Sequence, residues 1–202
     1  MLRNRKFKQT ILGVLVLLIG IIVGFIPIFS KSYSDKNENI RVEDYIDKTS
    51  KNNYIEDTQE YKENENVDLL LILEIPKINL KRVVYNFYSD KNTIEKNIMI
   101  MSESDLPNDL NGNVILEAHS GNDYISFFNR LNELTVNDEV YIYYQGIKYI
   151  YSVDNMYDVD KDGDVEIFRN KNRNTLSLIT CKNDNQYKQY VVILYLLREE
   201  EY

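Results

Sequence analysis

The sequence predicts a mostly β protein: a small closed or nearly closed β-barrel of about seven or eight strands with one or two short helices, preceded by a single transmembrane helix. Three observations predict this class. Residues 11–29 form a run of 19 residues without a charge near the N-terminus. From residue 69 onward, short apolar runs with a period of two are separated by turn residues, which is typical of strands. Within that region only residues 125–134 have helical apolar spacing.

The N-terminal apolar run predicts a membrane anchor within residues 1–30. In a helix, 19 residues span roughly 28 Å, close to the hydrocarbon thickness of a bilayer. The four residues Arg3, Arg5, Lys6 and Lys8 precede the run without an acidic residue, so the positive-inside rule places the N-terminus in the cytoplasm. A cleaved signal peptide is the alternative, but the run is long for one and Ala118 is the chain's only alanine.

Residues 31–68 are rich in charged and amide side chains and predict a polar spacer with a short helix around residues 42–46. The chain after the anchor holds all 32 acidic residues and 20 of the 24 basic ones, since four basic residues precede the anchor, and its net charge is therefore −12. No basic stripe is available to neutralise phosphates, which excludes nucleic-acid binding.

The region 69–202 is predicted to be the barrel domain. Gln145 and Gly146 join two Tyr-rich runs and predict a two-residue hairpin. The helix predicted at 125–134 carries an apolar stripe, Ile125, Phe128 and Leu131, which we expect to face the core. The predicted strands are 69–75, 81–85, 113–118, 139–144, 147–153, 175–180 and 190–197.

The only cysteine and the only histidine of the chain both end predicted strands. Cys181 closes the run TLSLITC at 175–181, and His119 follows the apolar run 113–118. A thiol and an imidazole held by strand ends favour nucleophilic chemistry by a Cys-His pair. The alternative is a buried structural thiol and a structural histidine, which are the common roles of such single residues.

Three ordered segments resemble one family. SLITC (177–181) resembles the T-L-x-T-C nucleophile strand of the sortases, NVILEAHSG (113–121) their N-x-V-x-x-G-H-S-G strand, and IPKIN (75–79) the I-P-K-I segment that opens their barrel. The resemblance covers residues 69–197. It implies a sortase-like barrel and a cysteine transpeptidase or hydrolase that acts on peptide bonds outside the membrane of a Gram-positive cell.

The resemblance also implies the roles of the two residues and the partners. Cys181 would cleave an LPXTG-like sorting signal on a surface protein and form a thioester. His119 would protonate the leaving amine and then activate the amine of a cell-wall or pilin acceptor. Substrate contacts are expected from Ser120, Thr180 and Lys188, and no cofactor is required.

The chain departs from the family pattern at the third catalytic residue, an arginine. The matching position is Gln189, with Lys188 beside it, and strand parity leaves open which of them faces Cys181. Arg169 and Arg173, just before the cysteine strand, are possible substitutes. The missing arginine supports an alternative function, a non-catalytic surface module that binds or scaffolds. A smaller departure is Ala118, where the family has glycine.

An acidic segment, residues 158–166, precedes the cysteine strand, where sortases have the segment that closes over the sorting signal. It begins D-x-D-x-D-G like a calcium loop, but its twelfth position is Arg169 instead of glutamate. An EF-hand is not expected, and calcium binding stays possible. The weak calcium candidates are Asp158, Asp160, Asp162 and Asp164.

Overall fold

The computed structural model describes the backbone of residues 2–50, 68–121, 123–161, 163–182 and 184–202, and their side chains except at 2–13, 24–34 and 186. Slightly less than half of the predicted spacer, residues 51–67, lies outside the described residues. The elements in chain order are the helix α1 (Leu2–Thr49) and the strands β1 (Leu69–Ile75), β2 (Leu80–Tyr85), β3 (Met99–Ile100), β4 (Asn113–Glu117), β5 (Glu139–Tyr144), β6 (Ile147–Asp160), β7 (Thr175–Lys182) and β8 (Asn185–Glu201).

The eight strands form one sheet in the order β2-β1-β5-β6-β8-β7-β4-β3. Every pair is antiparallel except β4 with β7, which run parallel. The two ends of this order meet through Asn97, which precedes β3: its amide donates to the Val83 carbonyl of β2, and its oxygen accepts from the buried Arg82. The sheet is therefore a nearly closed barrel, as predicted.

Strand β7 is buried on both faces. Leu176 and Leu178 point into the barrel core, while Ile179 belongs to a second apolar cluster on the opposite face. The connection after β6 covers that opposite face with Val165 and Ile167. Polar residues of this strand are buried as well, and the hydroxyls of Ser177 and Thr180 bond to Asn113 and to the Ala118 carbonyl.

The predicted helix at 125–134 is wrong. The segment forms successive turns and a 3₁₀ helix at Leu131–Glu133; a second 3₁₀ helix lies at Pro76–Ile78. Within residues 125–134, backbone hydrogen bonds link residues three apart, as from the Asn129 amide to the Ser126 carbonyl. The Phe128 amide donates to the His119 carbonyl instead. The apolar stripe does face the core, where Phe128 and Leu131 are buried, so burial is as predicted although the helix type is not.

Two strands were underestimated from sequence. β6 continues to Asp160 and β8 begins at Asn185, because the polar ends of the two strands pair with each other from Asn155↔Ile193 to Asp160↔Lys188. This extension includes Asp158 and Asp160, which were expected in a loop. It also brings the end of β6 next to the end of β7.

The chain divides into two compact units, Met1–Glu38 and Asn39–Tyr202. In the second unit, the last turns of α1 pack on the barrel: Val42 and Tyr45 are buried in one cluster with Ile72 and Val83. The Tyr45 hydroxyl donates to the Leu70 carbonyl at 2.7 Å. The short helix predicted around 42–46 is thus part of a longer one, and residues assigned to the spacer dock on the barrel.

The predicted anchor, residues 11–29, lies in α1. Side chains are described there only for residues 14–23, and its large apolar ones, such as Leu17 and Ile22, are exposed. Among the described residues, no helix is long and apolar enough to cross a bilayer.

Candidate active site

Cys181 lies one residue before the end of β7, on a backbone that is held from both sides. It pairs with Gln189 of β8, and its carbonyl accepts a hydrogen bond from the Ser120 hydroxyl at 2.6 Å. The pairing shifts register between Cys181 and Lys182, which is the kind of irregularity that often re-aims a side chain next to an active site. The thiol is partly exposed and makes no disulfide.

His119 lies beside Cys181 in the parallel pair of β4 and β7. The regular pairing ends at Glu117↔Ile179, and the Ala118 amide then donates to the Ile179 carbonyl at 3.2 Å. The Thr180 hydroxyl donates to Ala118, and Ser120 bonds to Cys181. These bonds continue the register, so the only histidine and the only cysteine sit at adjacent strand ends. Ala118 does not adopt positive φ, and its methyl is buried without a backbone cost.

Gln189, the position of the family arginine, faces the same side of the sheet as Cys181. Residues directly paired across two strands point to one face, and Gln189 pairs with Cys181. Its buried amide donates to the Glu117 carboxylate at 3.4 Å. The pKa of Glu117 is raised, because burial disfavours its charge more than the nearby Lys161 and His119 favour it. The buried side chain at this position therefore bonds to a carboxylate.

A cation contacts the thiol from the end of β6. The Lys161 ammonium lies 3.2 Å from the Cys181 sulfur. Its backbone amide donates to the Tyr187 carbonyl at 2.8 Å, which extends the β6–β8 pairing one residue beyond Asp160. Sequence analysis missed Lys161, because only the full length of β6 brings it to Cys181.

A pocket of about 330 Å³ opens at Cys181. Ser120 and Thr180, two of the predicted substrate contacts, line it, together with the apolar face of Phe128. Lys182 and Asp158 form an ion pair in its wall. Because Cys181 is one of the lining residues, a ligand of peptide-like chemistry in this partly apolar pocket would contact that residue.

The other predicted cations do not contact the thiol. Lys188 lies beside Gln189 and pairs with Asp160 at 3.0 Å. Arg169 donates to the Asn111 carbonyl at 3.1 Å, and Arg173 stacks on the Tyr195 ring at 4.0 Å. Both arginines contact residues near the start of β7, about 20 Å from Cys181 at the rise of a strand. Their contacts therefore do not support the alternative that one of them replaces the family arginine.

The acidic segment holds the four weak calcium candidates, of which the structure describes Asp158, Asp160 and Asp164. Asp158 and Asp160 belong to β6 and pair with Lys182 and Lys188, while Asp162 lies outside the described residues. Within the part of the chain that the structure describes, no group of three or more His, Cys, Asp or Glu side chains could hold a metal ion. Two of the four candidate ligands already neutralise lysines.

Fold and site together define a class: a small β-barrel in which a cysteine and a histidine end neighbouring strands beside a pocket. The family model of the sortase domain matches residues 73–196. The chain belongs to the sortase family, a family of cysteine transpeptidases. A search of curated protein sequences finds no match.

Solved sortase structures of several classes share the fold. Clostridium perfringens sortase D5, a transpeptidase, is 22% identical with a TM-score of 0.60, over 80% of this chain and 98% of that one. Corynebacterium diphtheriae sortase A, a lid mutant, is 23% identical with a TM-score of 0.57, over 64% and 70%. Actinomyces oris sortase C-1 is 20% identical with a TM-score of 0.58, over 65% and 75%. At these identities the likeness concerns the fold.

Proposed function

We propose that this chain is a membrane-anchored cysteine transpeptidase that cleaves an LPXTG-like sorting signal and joins the acyl part to an amine of the cell wall or of a pilin. The observation that carries the proposal is the pairing at the ends of β4, β7 and β8. That pairing sets Cys181 between His119 and Gln189, at the wall of an open pocket.

The chemistry is two acyl transfers. The Cys181 thiolate forms a bond to the carbonyl carbon of the threonine, and the carbonyl electron pair moves to oxygen. When the carbon–nitrogen bond breaks, His119 gives its proton to the departing amine, which leaves a thioester. The acceptor amine then attacks the thioester, His119 takes the amine proton, and the Cys181 thiolate leaves. The products are a new amide bond and the free enzyme, and no step needs a cofactor.

The anchor and the acceptor belong to the same proposal. Residues 11–29 would hold the barrel at the outer face of the cell membrane, close to sorting-signal proteins that are themselves retained there.

The test is transpeptidation by the purified full chain in detergent micelles. A panel of LPXTG-like peptides and an amine such as triglycine are incubated with wild type, Cys181→Ala and His119→Ala. We expect a peptide–triglycine product with wild type and none with either variant. A control variant, Lys171→Gln, removes a charge from an exposed turn before β7, away from the thiol. The proposal fails if no peptide yields product, or if Cys181→Ala is as active as wild type.

A second candidate function is a surface module that binds sorting peptides without turnover. The bond from Gln189 to Glu117 favours it, because a neutral amide bonded to a carboxylate brings no charge to an oxyanion, and one oxyanion donor is worth on the order of 10²- to 10³-fold in rate. This candidate predicts that the peptide panel binds, measured by calorimetry, while neither product nor thioester forms.

Calcium is a separate question. Because Asp158 and Asp160 pair with lysines, we propose that calcium is not required. A calcium titration should leave the thermal unfolding midpoint unchanged, whereas a rise that saturates with calcium would contradict this.

A further inference from the structure

We propose that Lys161 is the cation of this active site. Its ammonium holds Cys181 as the thiolate and then donates a hydrogen bond to the carbonyl oxygen of the acyl group as negative charge develops there. The second role rests on the proposed transpeptidase function, whereas the first concerns only the thiol and can be tested alone.

The contact itself is the first argument. The Lys161 nitrogen lies 3.2 Å from the Cys181 sulfur, which is hydrogen-bonding distance for a sulfur acceptor. The residue is not at the end of a loose loop, since its backbone amide is bonded to Tyr187 of β8 at 2.8 Å. An ammonium next to a thiol favours the negatively charged thiolate, which is the nucleophilic form.

The second argument is the face of the sheet. Val159 pairs with Gln189, and Gln189 with Cys181, so the three share one row and one face. Lys161 follows Val159 by two residues and therefore lies on that face, one row further along. The family places its arginine at Gln189, on β8. In this chain a cation reaches the same thiol from the neighbouring strand β6.

The third argument comes from the remaining charges. Lys182 and Lys188 contact the carboxylates of Asp158 and Asp160, and the side chain at Gln189 bonds to Glu117. Among the described basic side chains, Lys161 is the one with a contact to the sulfur.

The titratable groups around Cys181 come from every packed element. Lys161 contacts the sulfur, and Glu117, which accepts from Gln189, lies in the field of Lys161 and His119. Asp158, Lys182, Asp184 and Tyr190 line the pocket to which Cys181 also contributes. Strand alternation turns Asp158 and Tyr190 to the face opposite Val159 and Gln189.

In the reaction Lys161 gives up no proton. The sulfur forms its bond to the carbonyl carbon, and the negative charge moves from sulfur to the carbonyl oxygen. The ammonium can follow this charge because both atoms lie within reach of one flexible side chain. His119 remains the group that moves a proton to and from the amine.

Alkylation of Cys181 tests the first role without any peptide. The full chain in micelles is treated with iodoacetamide over a pH series, and intact mass gives the rate; with one cysteine in the chain, every adduct is on Cys181. We expect Lys161→Gln to lower the rate near neutral pH at least about tenfold, as for the loss of one hydrogen bond to a charged group. Lys161→Arg should stay close to wild type, because it keeps the charge.

The matched control is Lys171→Gln, which removes the same charge from an exposed turn before β7. It should leave the rate unchanged at each pH. A second reagent, iodoacetate, carries a negative charge, and Lys161→Gln should also reduce its rate relative to iodoacetamide. The inference is overturned if Lys161→Gln alkylates like wild type at every pH, or if Lys171→Gln lowers the rate as much.

Failure of the proposed transpeptidase function can be distinguished from failure of the Lys161 inference. If no peptide forms a product but Lys161→Gln still slows alkylation, the proposed function is wrong and the interaction of Lys161 with the Cys181 thiolate is supported. If peptides do react, Lys161→Gln should lower kcat/KM about 10²-fold, while Lys161→Arg retains most activity. Transfer by Lys161→Gln at the wild-type rate would contradict the second role.

Discussion

At the scale of single residues, the site contains a partly buried carboxyl, Glu117, in addition to the Cys181 thiol. Glu117 accepts from Gln189 and lies in the field of Lys161 and His119, yet burial raises its pKa above the ordinary 4.5. A carboxyl kept partly neutral by burial has a defined effect on stability. Between its ordinary and its raised pKa, the folded chain keeps a proton that the unfolded chain has released, so the free energy of unfolding falls as pH rises through that window.

Glu117→Gln should remove this fall. The amide keeps an oxygen that accepts from Gln189 and does not titrate. We expect the unfolding free energy of the variant, relative to wild type, to rise as pH increases above 4.5, measured by guanidinium unfolding at each pH. A difference that stays constant or falls over this range would contradict the prediction.

Glu133→Gln is the control of opposite sign. Glu133 is exposed, and its bond to Arg130 lowers its pKa below 4.5. Its stabilising effect is present above 4.5 and is lost as pH falls. The variant should therefore be slightly less stable than wild type at neutral pH and equal to it in acid.

Residue types explain which site residues could be predicted from sequence. Cys181 and His119 are single in the chain, end apolar runs and fit ordered family motifs, so their proximity could be inferred. Lys161 is one of 24 basic residues and stands in an acidic stretch without a local pattern. Its contact with the thiol depends on strand pairing between β6 and β8, which polar residues do not reveal.

At the scale of elements, the strand cores were predictable and their polar extensions were not. Period-two apolar runs predicted β1 and β5 with their full bounds. β6 and β8 continue through Asp158, Asp160 and Lys188, where ion pairs and backbone hydrogen bonds between the strands take the place of apolar burial. The helix at 125–134 failed for a related reason: its apolar stripe faces the core, but its backbone bonds go to Ser126 and His119 in tighter turns. Apolar spacing reports the buried face, not the hydrogen-bonding pattern.

The last turns of α1 form an element whose contact with the barrel has a measurable energy. Tyr45 is buried against β1 and β2 and bonds to the Leu70 carbonyl. We expect Tyr45→Ala in the full chain to lower the free energy of unfolding by about 2 to 4 kcal/mol, because an aromatic ring and a hydrogen bond are lost. The measurement is guanidinium unfolding in micelles.

Glu43→Ala is the matched control on the exposed side of the same helix. Its effect should stay within about 0.5 kcal/mol, the usual range for a surface change. Equal effects of Tyr45→Ala and Glu43→Ala would mean that the helix contributes nothing to the stability of the barrel.

At the scale of the whole molecule, charge and apolar distribution predict the orientation in the membrane. Basic residues precede the run 11–29, and the segment after it carries a net charge of −12, from 20 basic and 32 acidic residues. If residues 11–29 form the proposed anchor, the four basic residues before them would keep the N-terminus in the cytoplasm and the pocket outside.

Labelling of intact cells tests this orientation. A maleimide that does not cross membranes should modify Cys181 without permeabilisation. In a Cys181→Ser background, a cysteine introduced by Asn4→Cys should react only after the cells are opened. Labelling of the N-terminal cysteine in intact cells, or protection of Cys181 there, would reverse the proposed orientation.

The most direct measurement of the central claim is the mass of Cys181 in living cells. The full chain is purified from cells at acid pH, which preserves thioesters, and the peptide containing Cys181 is sequenced by mass spectrometry. We predict an acyl adduct ending in the threonine of a sorting signal, which hydroxylamine removes and which Cys181→Ala lacks. In His119→Ala, the amount of this acyl adduct is expected to change. A Cys181 thiol that stays free in both wild type and His119→Ala would contradict the claim that this barrel transfers acyl groups.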